Sequence, residues 1–137
     1  MPVQMKPFKR RVFRKLGILA IYLFGSRAEG TAMDGSDIDV GIVFKKPMMP
    51  EDTRPLYHRI YSELSKIFQT SFTKDLDLVF LQKASLPLQY NAIINGSVLY
   101  EDDPVERADY EEAVARQYMD FKPILEYFDT ISMERYA

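Results

Sequence analysis

Cysteine is absent from the 137 residues, and the only histidine is His58. Disulfides and thiolate metal sites are thereby excluded. Any metal must be held by oxygen ligands or by that one imidazole, which favours a hard cation such as Mg²⁺. Also missing is any segment near the ~20 consecutive apolar residues of a membrane span. The apolar run Ile18–Phe24 follows Lys6, Lys9, Arg10 and Arg11, as the core of a secretory leader would. It lies at the short end of the roughly 7–15 residues such a core needs, Arg14 and Lys15 abut it, and no small-x-small cleavage site follows. The expectation is a cytoplasmic protein. Acids are missing from residues 1–28, which hold seven bases, whereas residues 101–137 hold eleven acids against four bases. The two ends either meet different surfaces or are the solvated faces of two terminal helices.

No repeat, low-complexity tract or linker divides the chain. Its length suits one compact domain and leaves no room for a second catalytic one. With 47% apolar and 28% charged residues, it has the composition of a globular protein with a sizeable core. The expected organisation is one domain over residues 1–137, with a C-terminal helix at about 104–135 packing on it.

Helical spacing of Phe8, Val12, Phe13 and Leu16 predicts a helix over residues 6–16, with Gly17 placed as a C-terminal cap. The continuous run ILAIYLF at 18–24 reads as a buried central strand. In residues 37–44, Ile38, Val40, Ile42 and Phe44 share one strand face, and Asp37, Asp39, Gly41 and Val43 the other. A loop follows, then a helix from about 55 to 69 with the stripe Leu56, Ile60, Leu64, Ile67 and Phe68. Residues 75–81 repeat the strand pattern, with Asp75, Asp77, Val79 and Leu81 on one face. A short helix at 86–95 stops at Gly96, and 97–100 reads as a short strand suited to an edge.

The last helix begins with Asp103 as N-cap, Pro104 at its first position and Glu106 three residues after the cap. Tyr110, Ala113, Val114, Gln117, Tyr118, Phe121, Leu125 and Phe128 follow helical spacing. Pro123 is expected to kink or break this helix near Phe121. Tyr110, Tyr118 and Tyr127 read as packing residues, and His58 as an exposed helix residue. The class is α/β, a small mixed sheet with helices mainly on one face. The face carrying the aspartates is expected to stay open as a cleft.

Residues 24–44, FGSRAEGTAMDGSDIDVGIVF, carry the chemistry. Gly25 and Ser26 end one strand, ten residues intervene, and Asp37-x-Asp39 opens the next. Gly25 lets backbone approach an anionic triphosphate, and Ser26 offers a hydroxyl and an amide. Two carboxylates two residues apart on a strand face the same way, so they suit a pair of Mg²⁺ ions flanking one phosphorus. An Asp-x-Asp by itself occurs often in solvated turns; its spacing from Gly-Ser between two apolar strands makes it specific.

The pattern G-S-x10-D-x-D resembles the signature of the DNA polymerase β nucleotidyltransferase superfamily. That resemblance implies a polymerase β-like nucleotidyltransferase fold, a nucleoside triphosphate substrate and a third carboxylate on a neighbouring strand. KDLDLVFL supplies the third acid as Asp77, with Asp75 on the same face as runner-up. Arg27 either contacts the triphosphate or caps the loop. Through LFGSRAEG, SDIDVGIVF, DLDLVFL, LQYNAIINGSVLYEDDP and ARQYMDFKPILE, the chain looks most like the minimal nucleotidyltransferases paired with HEPN-domain toxins, the MntA-type adenylyltransferase antitoxins.

The resemblance implies metal-binding and catalytic roles for Asp37, Asp39 and Asp77, nucleotide binding by Gly25, Ser26 and Arg27, two Mg²⁺ ions, and ATP as substrate. It also implies AMP transfer to a tyrosine hydroxyl of a HEPN ribonuclease toxin as partner, without direct nucleic-acid binding. A non-catalytic antitoxin acting by occlusion and an enzyme acting on a small-molecule hydroxyl are the alternatives. HEPN nucleases themselves resemble an Arg followed, after four to six residues, by a catalytic His. Here Arg54 and His58 have only Pro55, Leu56 and Tyr57 between them, so the chain is not the nuclease.

Overall fold

The computed structural model describes residues 10–25, 38–68 and 76–136, with side chains to residue 131. The order of elements is the one the sequence predicts. Helix α1 (Arg10–Lys15) leads into strands β1 (Ile18–Phe24) and β2 (Ile38–Phe44), then helix α2 (Thr53–Phe68) and strand β3 (Leu76–Phe80). Helix α3 (Leu86–Asn95), strand β4 (Ser97–Glu101) and helix α4 (Pro104–Tyr136) follow. Short 3-10 turns at Pro50–Asp52 and Leu81–Lys83 precede α2 and α3. No helix among the described residues is long and apolar enough to cross a membrane.

The four strands form one mixed sheet in the order β3-β2-β1-β4. β1 pairs antiparallel with β2 and β4, while β2 and β3 are parallel. Every residue of β1 is buried, which explains why its sequence is a continuous apolar run: a central strand covered on both faces has no solvent-facing side to make polar. β4 lies at one edge, as expected. β3 forms the other, and its alternation of buried Leu76, Leu78 and Phe80 with exposed Asp77 and half-buried Val79 records one covered and one partly open face.

α1 and α2 cover the first face. Phe13, Ile60, Leu64, Ile67 and Phe68 pack there with Ile38, Val40, Ile42, Phe44, Leu76, Leu78 and Phe80. α1 ends as its sequence suggests. Gly17 takes φ +75, and its amide donates to the Arg14 carbonyl at 3.1 Å.

The second face corrects one expectation. It is not left open as a whole, because Leu81, Ala92 and the partly buried Val79, Leu88, Ile93 and Tyr110 pack against Tyr22, Phe24 and Val43. Gly41 is the reason the cover reaches the strand: a Cβ there would come within 2.7 Å of Leu81 Cδ1. β3 ends at Phe80, so Leu81 turns off the strand and back over its neighbour. Only the end of this face that carries Asp39 and Asp77 remains partly accessible.

α4 begins as predicted, with the Asp103 carboxylate accepting from the amides of Val105 at 2.9 Å and Glu106 at 3.3 Å. It then runs through Pro123 as one helix, so of the kink or break expected near Phe121 the break does not occur. Tyr110 and Tyr118 pack as expected. The Tyr110 hydroxyl donates to Gln89 Oε1 at 2.9 Å, and the Tyr118 ring stacks on Tyr90 at 4.0 Å between centroids. Tyr127 does not, being 63% exposed.

The opposite charges of the two ends partly meet each other. Arg14 pairs with Asp102 at 2.7 Å, and Lys45 pairs with the same carboxylate. Arg10 donates to the Glu101 carbonyl at 2.6 Å while its guanidinium lies 5.0 Å over the Tyr100 ring. Hydrogen bonds from Lys45, then from Arg14, hold the Asp102 carboxyl down at about 2, below the ordinary range. α1 is thereby fastened to the β4–α4 corner.

Candidate active site

The site is built from one row across the sheet. Phe24 of β1 is paired with Asp39 of β2, and Asp39 with Asp77 of β3. Residues in register on adjacent strands lie about 4.8 Å apart and project to the same face. Asp39 and Asp77 therefore stand side by side at the accessible end of the second face, Asp39 half-buried and Asp77 exposed.

Gly25 abuts the row. It follows Phe24 with φ +78, a conformation that L side chains rarely adopt and that costs a non-glycine residue about 1–2 kcal/mol. A Cβ on Gly25 would overlap Asp39 Oδ2 directly. The glycine is thus needed twice, for the turn off β1 and for the space the Asp39 carboxylate occupies. The sequence accounts for the first use; the second appears only when β1 and β2 are laid side by side.

Of the residues expected at the site, Gly25, Asp39 and Asp77 are brought together. Ser26, Arg27 and Asp37, and the runner-up Asp75, lie outside the described residues. His58 is exposed on α2, with its ring edge-on to Tyr57 at 6.1 Å. The Tyr57 phenol is pushed up by burial first, then by the negative charge of Asp77 and by Tyr61. α2 therefore brings the Tyr57 phenol within electrostatic reach of Asp77.

Beneath the row lies a wall that residue patterns did not reveal. The next row inward is Tyr22, Gly41 and Val79, sealed by Leu81 over Gly41. Tyr22 is 1% exposed, and its hydroxyl donates to Glu111 Oε2 at 2.6 Å. Arg107 bridges Glu111 and Glu101, at 2.5 Å to each. Burial, then the hydrogen bond to Glu111, hold the Tyr22 phenol far above its ordinary value, so it stays neutral and acts as a donor. This strap ties α4 to β1 two strand positions from the acidic row. Its one sequence signal was a tyrosine inside an otherwise apolar strand, since a buried phenol needs a partner for its hydroxyl.

The family model described as "Polymerase beta, Nucleotidyltransferase" matches residues 9–105, a span holding all four strands and every expected site residue. The chain belongs to the polymerase β nucleotidyltransferase family. No curated protein sequence matches it. Among solved structures it is similar to a toxin–antitoxin chain crystallised with AMP-PNP, at 22% identity and TM-score 0.68, over 90% of this chain and 94% of that one. It is also similar to a chain of a Shewanella oneidensis complex between a tri-AMPylated HEPN toxin and an MNT antitoxin. There the identity is 20% and the TM-score 0.61, over 90% of this chain and 95% of that one. A mutant MntA complex gives 20% identity and TM-score 0.66, over 92% and 99%. Identities at this level establish a shared fold, the polymerase β-like nucleotidyltransferase fold.

The donor set suits the cofactor such a family implies. Asp39 and Asp77 are adjacent oxygen donors on one accessible face, and Gly25 leaves room for the Asp39 carboxylate. Hard oxygen donors of this kind select Mg²⁺ over softer metals.

Proposed function

We propose that this chain is an antitoxin that transfers AMP from ATP to a tyrosine hydroxyl of a HEPN-domain ribonuclease toxin. One observation carries the catalytic part: Asp39 and Asp77 stand in register at the open end of a nucleotidyltransferase sheet, with Gly25 against the Asp39 carboxylate. Asp39 and Asp77, together with Asp37, hold Mg²⁺, which when bound neutralises the triphosphate and the charge that develops during transfer. Gly25 and Ser26 position the β- and γ-phosphates through backbone amides and the serine hydroxyl, with Arg27 beside them. The acceptor oxygen attacks the α-phosphorus, the bond from that phosphorus to the pyrophosphate oxygen breaks, and the hydroxyl proton passes to the carboxylate of Asp77. No group of this chain forms a covalent intermediate in the step, so the rate enhancement comes from positioning and electrostatics.

The partner part is supported by the similarity to toxin–antitoxin chains, one of them in a complex with a tri-AMPylated HEPN toxin. Attached AMP brings a negative charge and a bulky base beside the nuclease site, which repels RNA phosphates.

The test combines this protein, Mg²⁺ and ATP with a HEPN-domain protein from the same source and follows the latter by intact mass spectrometry. Addition of one or more AMP units, mapped to tyrosine and lost with Asp77→Asn, is the expected result. Asp77→Asn should slow transfer by at least ~100-fold, the usual scale for one group acting on developing charge. Because Asp77 is exposed beside a second carboxylate, the melting temperature should stay unchanged or rise slightly. Equal silencing of the toxin by Asp77→Asn with no added mass would replace transfer by simple occlusion.

A further inference from the structure

The second half of α4 has an apolar face that the domain does not use. Tyr110, Val114 and Tyr118 form the stripe by which the first half packs, with the Tyr118 ring stacked on Tyr90. The stripe then continues in the same helical register. Phe121, Ile124, Leu125 and Phe128 fall at i, i+3, i+4 and i+7, with Tyr127 at their flank. Met119 (53%), Phe121 (37%), Ile124 (49%), Tyr127 (63%) and Phe128 (59%) make up most of the exposed large hydrophobics among the described residues. From Met119 to Tyr136 the helix runs on for about 27 Å. A helix of this length is marginal by itself in water, and Pro123 inside it removes a backbone hydrogen bond. An exposed apolar stripe on a helix with so little support of its own is the form a docking helix takes.

Charge identifies the kind of occupant. Lys122 and Asp129 flank the stripe on one side and Asp120 on the other, with Glu126 turned further away, so the described part of this segment carries three acids and one base. Two copies of the helix would bring together two segments that are each net acidic. A partner with an apolar groove and basic rims complements it, and a protein that cuts RNA needs basic residues for its substrate's phosphates. The direction of the helix also suits a substrate protein. Arg107 contacts Glu101, which is paired with Ala20, while Glu111 one turn later contacts Tyr22. α4 therefore advances along β1 toward Gly25 and the acidic row.

We infer that the distal half of α4 is the docking helix for the acceptor protein, seated through Phe121, Ile124, Leu125 and Phe128 in an apolar groove with basic rims. This rests on the proposed function for the identity of the acceptor, and it adds the surface by which the acceptor is held. The full-length protein, its Phe121→Glu/Phe128→Glu variant and the milder Phe128→Ser variant are each titrated with the HEPN-domain protein by calorimetry. Size-exclusion light scattering and circular dichroism are recorded alongside. Two aromatic anchors of ordinary hot-spot strength predict a rise in Kd of at least about 100-fold for the double variant, with a smaller rise for Phe128→Ser. Transfer at saturating acceptor should be retained, so KM for the acceptor rises while kcat does not fall.

Wild-type affinity in both variants would overturn the docking helix even if AMP transfer is intact. Wild-type binding without transfer, lost in the variants, would uphold the docking helix while refuting the enzymatic reading. A wild-type dimer that the variants dissociate, with acceptor binding unaffected, would assign the face to a second copy and overturn the proposal.

Discussion

Gly17 and Gly25 offer a controlled comparison, because both adopt nearly the same backbone conformation and only one touches the site. Their φ values are 75 and 78. A Cβ on Gly17 meets nothing within 4 Å, whereas one on Gly25 overlaps the Asp39 carboxylate. Gly17→Ala therefore isolates the cost of placing an L side chain in the left-handed region, about 1–2 kcal/mol. For a domain of this size that is a fall in melting temperature of roughly 3–8 °C. Gly25→Ala incurs the same cost and must also rotate Asp39 away, which adds about 1 kcal/mol for an off-rotamer side chain. The larger effect is on chemistry. Displacing a metal-holding carboxylate by about 1 Å slows a positioned reaction by about 100-fold. Single-turnover AMP transfer with both variants, alongside thermal denaturation, measures the two terms separately. The expected pattern is a Gly25→Ala variant less stable than Gly17→Ala by about 1 kcal/mol, with transfer near wild type in Gly17→Ala and about 100-fold slower in Gly25→Ala. Equal transfer by both would refute the assignment of Asp39 and Gly25 to one site.

Two further outcomes concern the frame around the site. Tyr22→Phe removes the donor to Glu111 but leaves Glu111 paired with Arg107, so it should cost about 1–2 kcal/mol; an unchanged melting temperature would show that the strap does not hold α4. Asp102 is held at about 2 by Lys45 and Arg14. A depressed carboxyl contributes stability that is complete above its unfolded value near 4 and is lost as pH falls toward 2. The gap in melting temperature between wild type and Asp102→Asn should accordingly be constant from pH 7 to about 5 and close below about 4. A gap independent of pH would refute the ion pairs as its source.

The sequence by itself determined the order of elements, because periodicity and end signals are local. ILAIYLF reads as a doubly buried strand from its β-forming apolar run ending at a glycine, and Asp103-Pro104 reads as the opening of a helix. It also determined the candidate chemistry, since Asp-x-Asp at a fixed distance from Gly-Ser requires no knowledge of contacts. Strand register decided the rest. That Asp77, 38 positions beyond Asp39 in the chain, stands directly beside it follows from the parallel pairing of β2 and β3, which no local pattern encodes.

The same holds for Gly41, which reads as an unremarkable small residue until Leu81 is seen to fill its missing Cβ. This contact closes one part of the face expected to be open, and Leu88, Ala92, Ile93 and Tyr110 cover more of it. Pro123 misled for the opposite reason. Its local preference against helix is real, but α4 is already nucleated by its capped first turns and held by Arg107, Glu111 and Tyr118. A helix started elsewhere tolerates one missing hydrogen bond, because extension is far easier than nucleation. Local chemistry was legible in the residues; which residues became neighbours was settled by packing at long range, where the energy depends on the whole sheet being formed.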